Sequence, residues 1–150
     1  MRKDRFGLSV ALATPFAVQL TADDKTLLVG LTGDSVVEAY DVSVSPAKLI
    51  KRIPTGEGAH AFRAWGDKRH VLVSNRMANT ISRIDLQSMT VTDTYAAPGG
   101  PDCMDVLKGG RLLLVTSRWA RKLSVIDLEQ KKVVRQVNVG RSPHGVWTLD

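Results

Sequence analysis

The chain has 150 residues, of which 43% are hydrophobic and 24% charged, a composition typical of a globular protein with one core. No apolar run approaches the roughly 18 residues that a membrane-spanning helix needs, and a single cysteine, Cys103, excludes a disulfide within the chain. The net charge is +6, but the basic residues lie in short scattered clusters, which favours a solvated basic surface over a nucleic-acid footprint.

The N-terminal segment has two interpretations. Residues 1–13 combine a basic start, a short apolar run and the sequence Ala11-Leu12-Ala13, which looks like a signal-peptide cleavage site. Cleavage there would leave a leader shorter than the usual length of about 15 to 30 residues, and Asp4 interrupts its basic region. We favour the alternative, a β-strand over residues 6–13, because it fits the repeat that organises the rest of the chain.

An internal repeat runs through the chain. Residues 71–86, VLVSNRMANTISRIDL, align with residues 113–128, LLVTSRWARKLSVIDL, so equivalent residues lie 42 positions apart. A weaker copy occupies residues 27–42, LLVGLTGDSVVEAYDV, and precedes the copy at residue 71 by 44 positions. Three successive copies in one register indicate a repeat architecture.

Within each copy the apolar residues alternate with the period of two that is typical of β-strands. In the second copy this pattern predicts strands at residues 60–65, 70–75, 80–86 and 90–95, with turn residues between them. Four short antiparallel strands in about 42 residues form the blade of a β-propeller. The sequence therefore predicts an all-β fold, a β-propeller.

The repeat predicts three complete blades, at residues 14–55, 56–97 and 98–139, in one domain that spans the whole chain. Residues 6–13 and 140–150 are predicted to be single strands of incomplete blades. A closed propeller has about four to eight blades. We therefore expect a partial propeller, either part of a longer one or a half-ring that self-associates through its exposed blade faces.

The pattern resembles the YVTN-type, or YncE-like, β-propeller repeat family. This family is similar in architecture to WD40 propellers and to the propeller domain of cytochrome cd1 nitrite reductases. The segments that carry the resemblance are GRSPHGV, ATPFAVQLTADDKTLLV, LLVTSRWARKLSVIDL and KKVVRQVNVG. The family's YVTN tetrapeptide lies at VLVSN and LLVTS, where Val71 and Leu113 replace the aromatic residue. The resemblance implies a bacterial protein exported to the periplasm or secreted.

Two kinds of loop in such propellers lie on the same face, and both carry polar residues here. The connection between blades places one residue per repeat where the innermost strand begins, beside the central channel. The loop between the second and third strands of a blade places an arginine near it. The candidate ligand- or partner-binding residues on this face are His60, Asp102, His144, Arg76, Arg118 and Trp119.

Three interpretations of these residues stay open. They form a surface for a ligand or partner, or they hold a metal, or they cap backbone N–H groups of their own turns. A zinc site needs three or four ligand atoms within about 2.1 Å of one ion, and His60 and His144 lie two blades apart. We therefore expect no metal and no cofactor. The alternative is a redox-associated propeller with a haem-like or metal cofactor at the channel mouth, as the cytochrome cd1 resemblance implies.

Other recurring residues predict structure rather than chemistry. Asp41, Asp85 and Asp127 end the third strand of each copy, where a carboxylate accepts turn N–H bonds. Cys103 is interpreted as a buried, inert thiol. The sequence contains no phosphate-binding glycine loop, nucleophile elbow, HExxH or CxxCH motif. The sequence thus predicts a non-enzymatic scaffold whose loop face binds a protein or a small molecule.

Overall fold

The computed structural model describes residues 15–107 and 109–149, which form twelve β-strands and no helix that could cross a bilayer. The strand predicted over residues 6–13 lies outside the described residues. In chain order the strands are β1 (Pro15–Leu20), β2 (Thr26–Leu31), β3 (Val36–Asp41), β4 (Lys48–Pro54), β5 (Ala59–Ala64), β6 (His70–Asn75), β7 (Thr80–Asp85), β8 (Thr90–Ala96), β9 (Pro101–Val106), β10 (Leu112–Ser117), β11 (Lys122–Asp127) and β12 (Lys132–Asn138).

The strands form three four-stranded antiparallel sheets in which each strand pairs with the next. We call them blade I (β1–β4), blade II (β5–β8) and blade III (β9–β12). The first strands of neighbouring blades contact one another extensively, whereas the fourth strands contact one another little, so the sheets fan out from their first strands. This is the arrangement of consecutive propeller blades. The predicted fold class is confirmed, and the four strands predicted for the second copy lie within one residue of their expected bounds.

Apolar side chains pack between neighbouring blades, and strand β6 shows how. Val71 and Val73 belong to the core between blades I and II, whereas Leu72 belongs to the core between blades II and III. Successive side chains of a strand point to opposite faces of the sheet. Blade II therefore buries both of its faces, and β6 is buried from Val71 to Asn75.

The recurring aspartates hold the turn between the third and fourth strands. Asp41, Asp85 and Asp127 each accept a hydrogen bond from the backbone N–H two residues later, at 2.9, 2.8 and 3.0 Å. Their predicted turn-capping role is confirmed. Arg69 and Arg111 also pair with Asp85 and Asp127, at 2.6 and 2.8 Å. These contacts hold the pKa of both carboxyl groups below the usual range, mainly through Arg69 for Asp85 and through a backbone N–H followed by Arg111 for Asp127.

The strand predicted at the C-terminal end is wrong, because residues 139–149 form no β-strand. The segment lies against blade III and is held by side chains. The Thr116 hydroxyl donates to the His144 carbonyl at 2.6 Å, and the buried Asp105 carboxylate accepts hydrogen bonds from Thr148 N and Oγ1 at 2.7 and 2.9 Å. Among the described residues no strand forms backbone hydrogen bonds with this segment as in a sheet, so the segment does not become a strand itself.

Substitution at Ile126 tests the packing between blades. Ile126 in β11 is fully buried in the core between blades II and III, and Ile126→Ala should lower the free energy of unfolding by about 2 to 5 kcal/mol. The matched change Val134→Ala, at an exposed position of β12, should cost less than about 0.5 kcal/mol. Urea denaturation monitored by circular dichroism measures both. Equal losses in the two variants would contradict a packed core at this interface.

Candidate functional site

The connections between blades and the loops between second and third strands lie together at one end of the sheets, which we call the loop face. The backbone N–H of Arg76, after β6, donates to the carbonyl of Gly58 in the connection from blade I to blade II, at 2.9 Å. Arg118, after β10, makes the equivalent 2.9 Å bond to Gly100. Each loop is thus hydrogen-bonded to the connection that leads into its own blade.

The same turn precedes β5, β9 and the C-terminal segment. Gly58, Gly100 and Ser142 have φ values of +82°, +72° and +52°, in the left-handed region. A Cβ at Gly58 would lie 2.8 Å from the backbone nitrogen of Met77, and a Cβ at Gly100 would lie 2.5 Å from the Trp119 ring. Glycine is therefore required at the first two positions by both backbone angle and space. The predicted binding residue Trp119, which is half exposed, covers this turn.

The other five predicted residues lie together. The carboxylate of Asp102, which is fully buried, is at the centre, and the other four side chains surround it. Its Oδ1 lies 3.2 Å from His60 Nδ1 and 3.6 Å from His144 Nε2. Its Oδ2 lies 2.8 Å from an Arg76 Nη and 3.5 Å from an Arg118 Nη. We call these five residues the Asp102 cluster. Among the described residues, Trp119 makes no hydrogen bond with this carboxylate. The binding role of all six residues stays a prediction.

His60 is neutral in this cluster at pH 7. Burial lowers the pKa of His60 to about 4, against the opposing pull of the Asp102 carboxylate, and Arg76 lowers the pKa further. Arg76 donates to His60 Nε2, so the ring proton is on Nδ1, which faces Asp102. Two guanidinium groups therefore surround a single carboxylate, and the cluster carries excess positive charge.

Three buried polar atoms of the cluster lack a hydrogen bond among the described residues: His60 Nδ1, Arg76 Nε and Asp102 Oδ2. Asp102 Oδ2 and His60 Nδ1 have charged or polar neighbours at 2.8 and 3.2 Å, but these contacts are not aligned as hydrogen bonds. Asp102 Oδ2 has a second charged neighbour, an Arg118 Nη at 3.5 Å. Buried polar atoms without hydrogen bonds are rare and often mark the site of an ion or a ligand.

Sequence reasoning missed Phe16, which occupies the same repeat position as His60, 44 residues earlier. The two rings are 4.0 Å apart between centroids, and the Arg76 guanidinium lies 5.8 Å from the Phe16 centroid. The aromatic ring covers one side of His60 and attracts the Arg76 charge. The signal was present, because the offset between the first two copies aligns Phe16 with His60.

Cys103 is less isolated than the sequence suggested. It is only partly buried, and its Sγ lies 3.7 Å from His144 Nδ1 and 3.9 Å from Asp102 Oδ1. Burial and the Asp102 charge raise the pKa of the thiol, so it is protonated at pH 7 and is not an activated nucleophile. The prediction of a buried, inert thiol is therefore wrong in its burial, because Cys103 is partly exposed, whereas the raised pKa agrees with an inert thiol. The repeat gave no signal, because the equivalent residues are Ala61 and Gly145.

Comparison with known proteins supports the fold and the family. Residues 9–150 match the family model described as YNCE-like beta-propeller. A search of curated proteins found no significant match. Three of the similar solved structures are hydrazine synthase from Kuenenia stuttgartiensis, the periplasmic gluconolactonase PpgL from Pseudomonas aeruginosa and the WD40 repeats of RRP9. Their sequence identities to this chain are 18%, 20% and 16%, and their TM-scores are 0.76, 0.78 and 0.71, in the same order.

The chain covers only part of each of these proteins. The alignments include 89% of this chain in all three cases, but 38% of the hydrazine synthase chain, 42% of the gluconolactonase chain and 41% of the RRP9 chain. At these identities the similarity shows a shared fold and nothing about reaction or ligand.

Asp102→Asn tests whether the carboxylate holds the cluster together. The change removes the charge that faces Arg76 and His60, and the loss of one partner from a buried charge pair costs about 3 to 5 kcal/mol. Arg118→Ala removes a more exposed partner at 3.5 Å and should cost about 0 to 1 kcal/mol. Urea denaturation at pH 7 measures both values. A loss from Asp102→Asn no larger than that from Arg118→Ala would contradict its central role.

Proposed function

The chain belongs to the YncE-like β-propeller family, and from this premise we propose that it is a non-enzymatic binding module that presents its loop face to a ligand or a partner protein. The observation that carries the proposal is the Asp102 cluster. His60, Asp102 and His144 occupy one repeat position, and their side chains lie close together. Arg76 and Arg118, from equivalent loops, both contact the Asp102 carboxylate. Function in such folds resides in side chains placed on a repeated scaffold.

The charge of the cluster favours an anionic group as the ligand. Asp102 neutralises only one of the two guanidinium groups, and Arg118 and His144 are 39% and 55% exposed at their side chains. An exposed guanidinium offers several N–H donors in a plane that matches carboxylate and phosphate oxygens. We propose that the module binds a carboxylate or phosphate group, carried by a small molecule or by a partner protein.

The non-enzymatic assignment rests on the chemistry of the cluster. The thiol of Cys103 lies 3.7 Å from His144 Nδ1, and its raised pKa works against thiolate formation. The reactions named for gluconolactonase and hydrazine synthase belong to those proteins. The WD40-type neighbours fit a scaffold that acts by binding.

We also propose that the protein is exported, periplasmic or secreted. The support is the family membership, together with the similarity to a gluconolactonase described as periplasmic. The redox-associated alternative has one observation in its favour, the proximity of Cys103 to His144 and Asp102.

Self-association through blade faces remains a proposal with one supporting feature. The outer face of blade I carries an apolar groove of about 510 Å³ whose lining includes Leu27, Val29 and Tyr40. In a propeller this face packs against another blade, from the same polypeptide or from a second copy.

An NMR titration with inorganic phosphate and with citrate tests anion binding at the loop face. We expect shifts of backbone amide signals around Arg118 and His144, and Arg118→Ala should weaken binding about 10-fold or more because a charge-assisted hydrogen bond contributes roughly 1.5 to 3 kcal/mol. Arg135→Ala, at an exposed position of β12, is the matched control and should bind as the native chain does. Equal binding by both variants, or shifts confined to other surfaces, would refute the proposal.

A further inference from the structure

Three potential metal ligands lie together where β9 passes the C-terminal segment. Asp102, Cys103 and His144 each offer one ligand atom, and these atoms all lie within 4.8 Å of one another. Cys103 Sγ is 3.7 Å from His144 Nδ1 and 3.9 Å from Asp102 Oδ1, and Oδ1 is 3.6 Å from His144 Nε2. Ligands of a tetrahedral zinc ion, at about 2.3 Å for sulfur and 2.1 Å for nitrogen, lie roughly 3.3 to 3.8 Å apart. His144 can bind one ion through only one of its two ring nitrogens, and with one atom taken from each residue the three atoms lie within 4.8 Å of one another. Closing them around a tetrahedral ion therefore requires side-chain shifts of up to about 1 Å.

The surroundings of Asp102 are those of a metal-bound carboxylate. Arg76 lies 2.8 Å from Oδ2, whereas Oδ1 faces His60 Nδ1 at 3.2 Å, His144 Nε2 at 3.6 Å and Cys103 Sγ at 3.9 Å. The carboxylate is fully buried, and its Oδ2 lacks an aligned hydrogen bond among the described residues. Metal-binding carboxylates are normally oriented by such a second partner on the other oxygen.

The charges of the three side chains suit a divalent ion. Asp102 and a Cys103 thiolate would supply two negatively charged ligands, and His144 would bind as neutral imidazole. With Arg76 and Arg118 on the same carboxylate, the loaded site keeps a net positive charge, which an anion at the open position would offset. The thiol loses its proton to solvent when the sulfur–metal bond forms. Arg76 and Arg118 keep their contacts with Oδ2.

We propose that Asp102, Cys103 and His144 form a zinc-type site with one position open to solvent. Sulfur, nitrogen and oxygen donors together favour a borderline ion such as Zn²⁺ over Mg²⁺ or Ca²⁺, which take oxygen ligands. The open position follows from the exposed side chain of His144 and the partial exposure of Cys103. The zinc site shares Asp102 and His144 with the Asp102 cluster, but zinc binding depends on Cys103 and anion binding depends on Arg118. One proposal can therefore fail while the other stands.

Zinc titration of the purified, tag-free chain tests the proposal. In a buffer with a reductant that contains no thiol, isothermal titration calorimetry should show one Zn²⁺ per chain. Cys103→Ser and His144→Ala should each weaken the affinity at least about tenfold, since even loss of a residue that supports a ligand costs 10- to 100-fold. His70→Ala is the matched control, because His70 lies at the start of β6, at the opposite end of the blade from the loop face, and pairs with Asp67.

Cobalt substitution gives a readout that a merely structural role would not change. The Co²⁺-loaded chain should show a thiolate-to-cobalt charge-transfer band in the near ultraviolet, and Cys103→Ser should abolish it. Far-UV circular dichroism of both variants should match that of the native chain, because neither side chain belongs to the packed cores between blades. No binding by the native chain, or zinc affinities of both variants equal to the native value, would overturn the proposal, as would loss of binding in the His70→Ala control.

Discussion

Each sheet of this protein is apolar on both faces, and it can remove those faces from water only by stacking on a neighbouring sheet. In β6 the alternation of Val71, Leu72 and Val73 places two side chains towards blade I and one towards blade III. A sheet with one solvated face would carry polar residues at every second position. The need to cover both faces explains why the chain repeats, and why blade II has a neighbouring blade on each side.

The stacking also creates the candidate site. Because the sheets fan out from their first strands, the starts of β5 and β9 lie close together, and the C-terminal segment brings His144 to the same place. One repeat position then carries a ring or a carboxylate from each successive repeat: Phe16, His60, Asp102 and His144. The buried Asp102 needs compensating charge, which Arg76 and Arg118 supply from adjacent loops. The geometry of the loop face is thus a consequence of blade packing, and its chemistry depends on which residue each repeat places there.

Much of this arrangement could be predicted from the sequence, because the repeat constrains both strand positions and equivalent loops. The fold class, the strands of the second copy and the turn-capping role of Asp41, Asp85 and Asp127 followed from periodicity and offset. The strand expected after residue 140 did not form, because a strand also requires a hydrogen-bonding neighbour, which periodicity does not report. Phe16 was missed although the offset of 44 aligns it with His60. The position of Cys103 beside His144 had no repeat signal, since it depends on contact between residues 41 apart in different repeats.

Methyl–methyl nuclear Overhauser effects measured on the folded chain test the central claim, radial stacking of blades, most directly. If the blades stack radially, the methyl groups of Val71 and Val73 show cross-peaks to blade I residues such as Leu28 and Val37. The methyl groups of Leu72, between them, should show cross-peaks to blade III residues of the opposite core. Cross-peaks from all three side chains of β6 to the same blade, or to neither, would contradict the account.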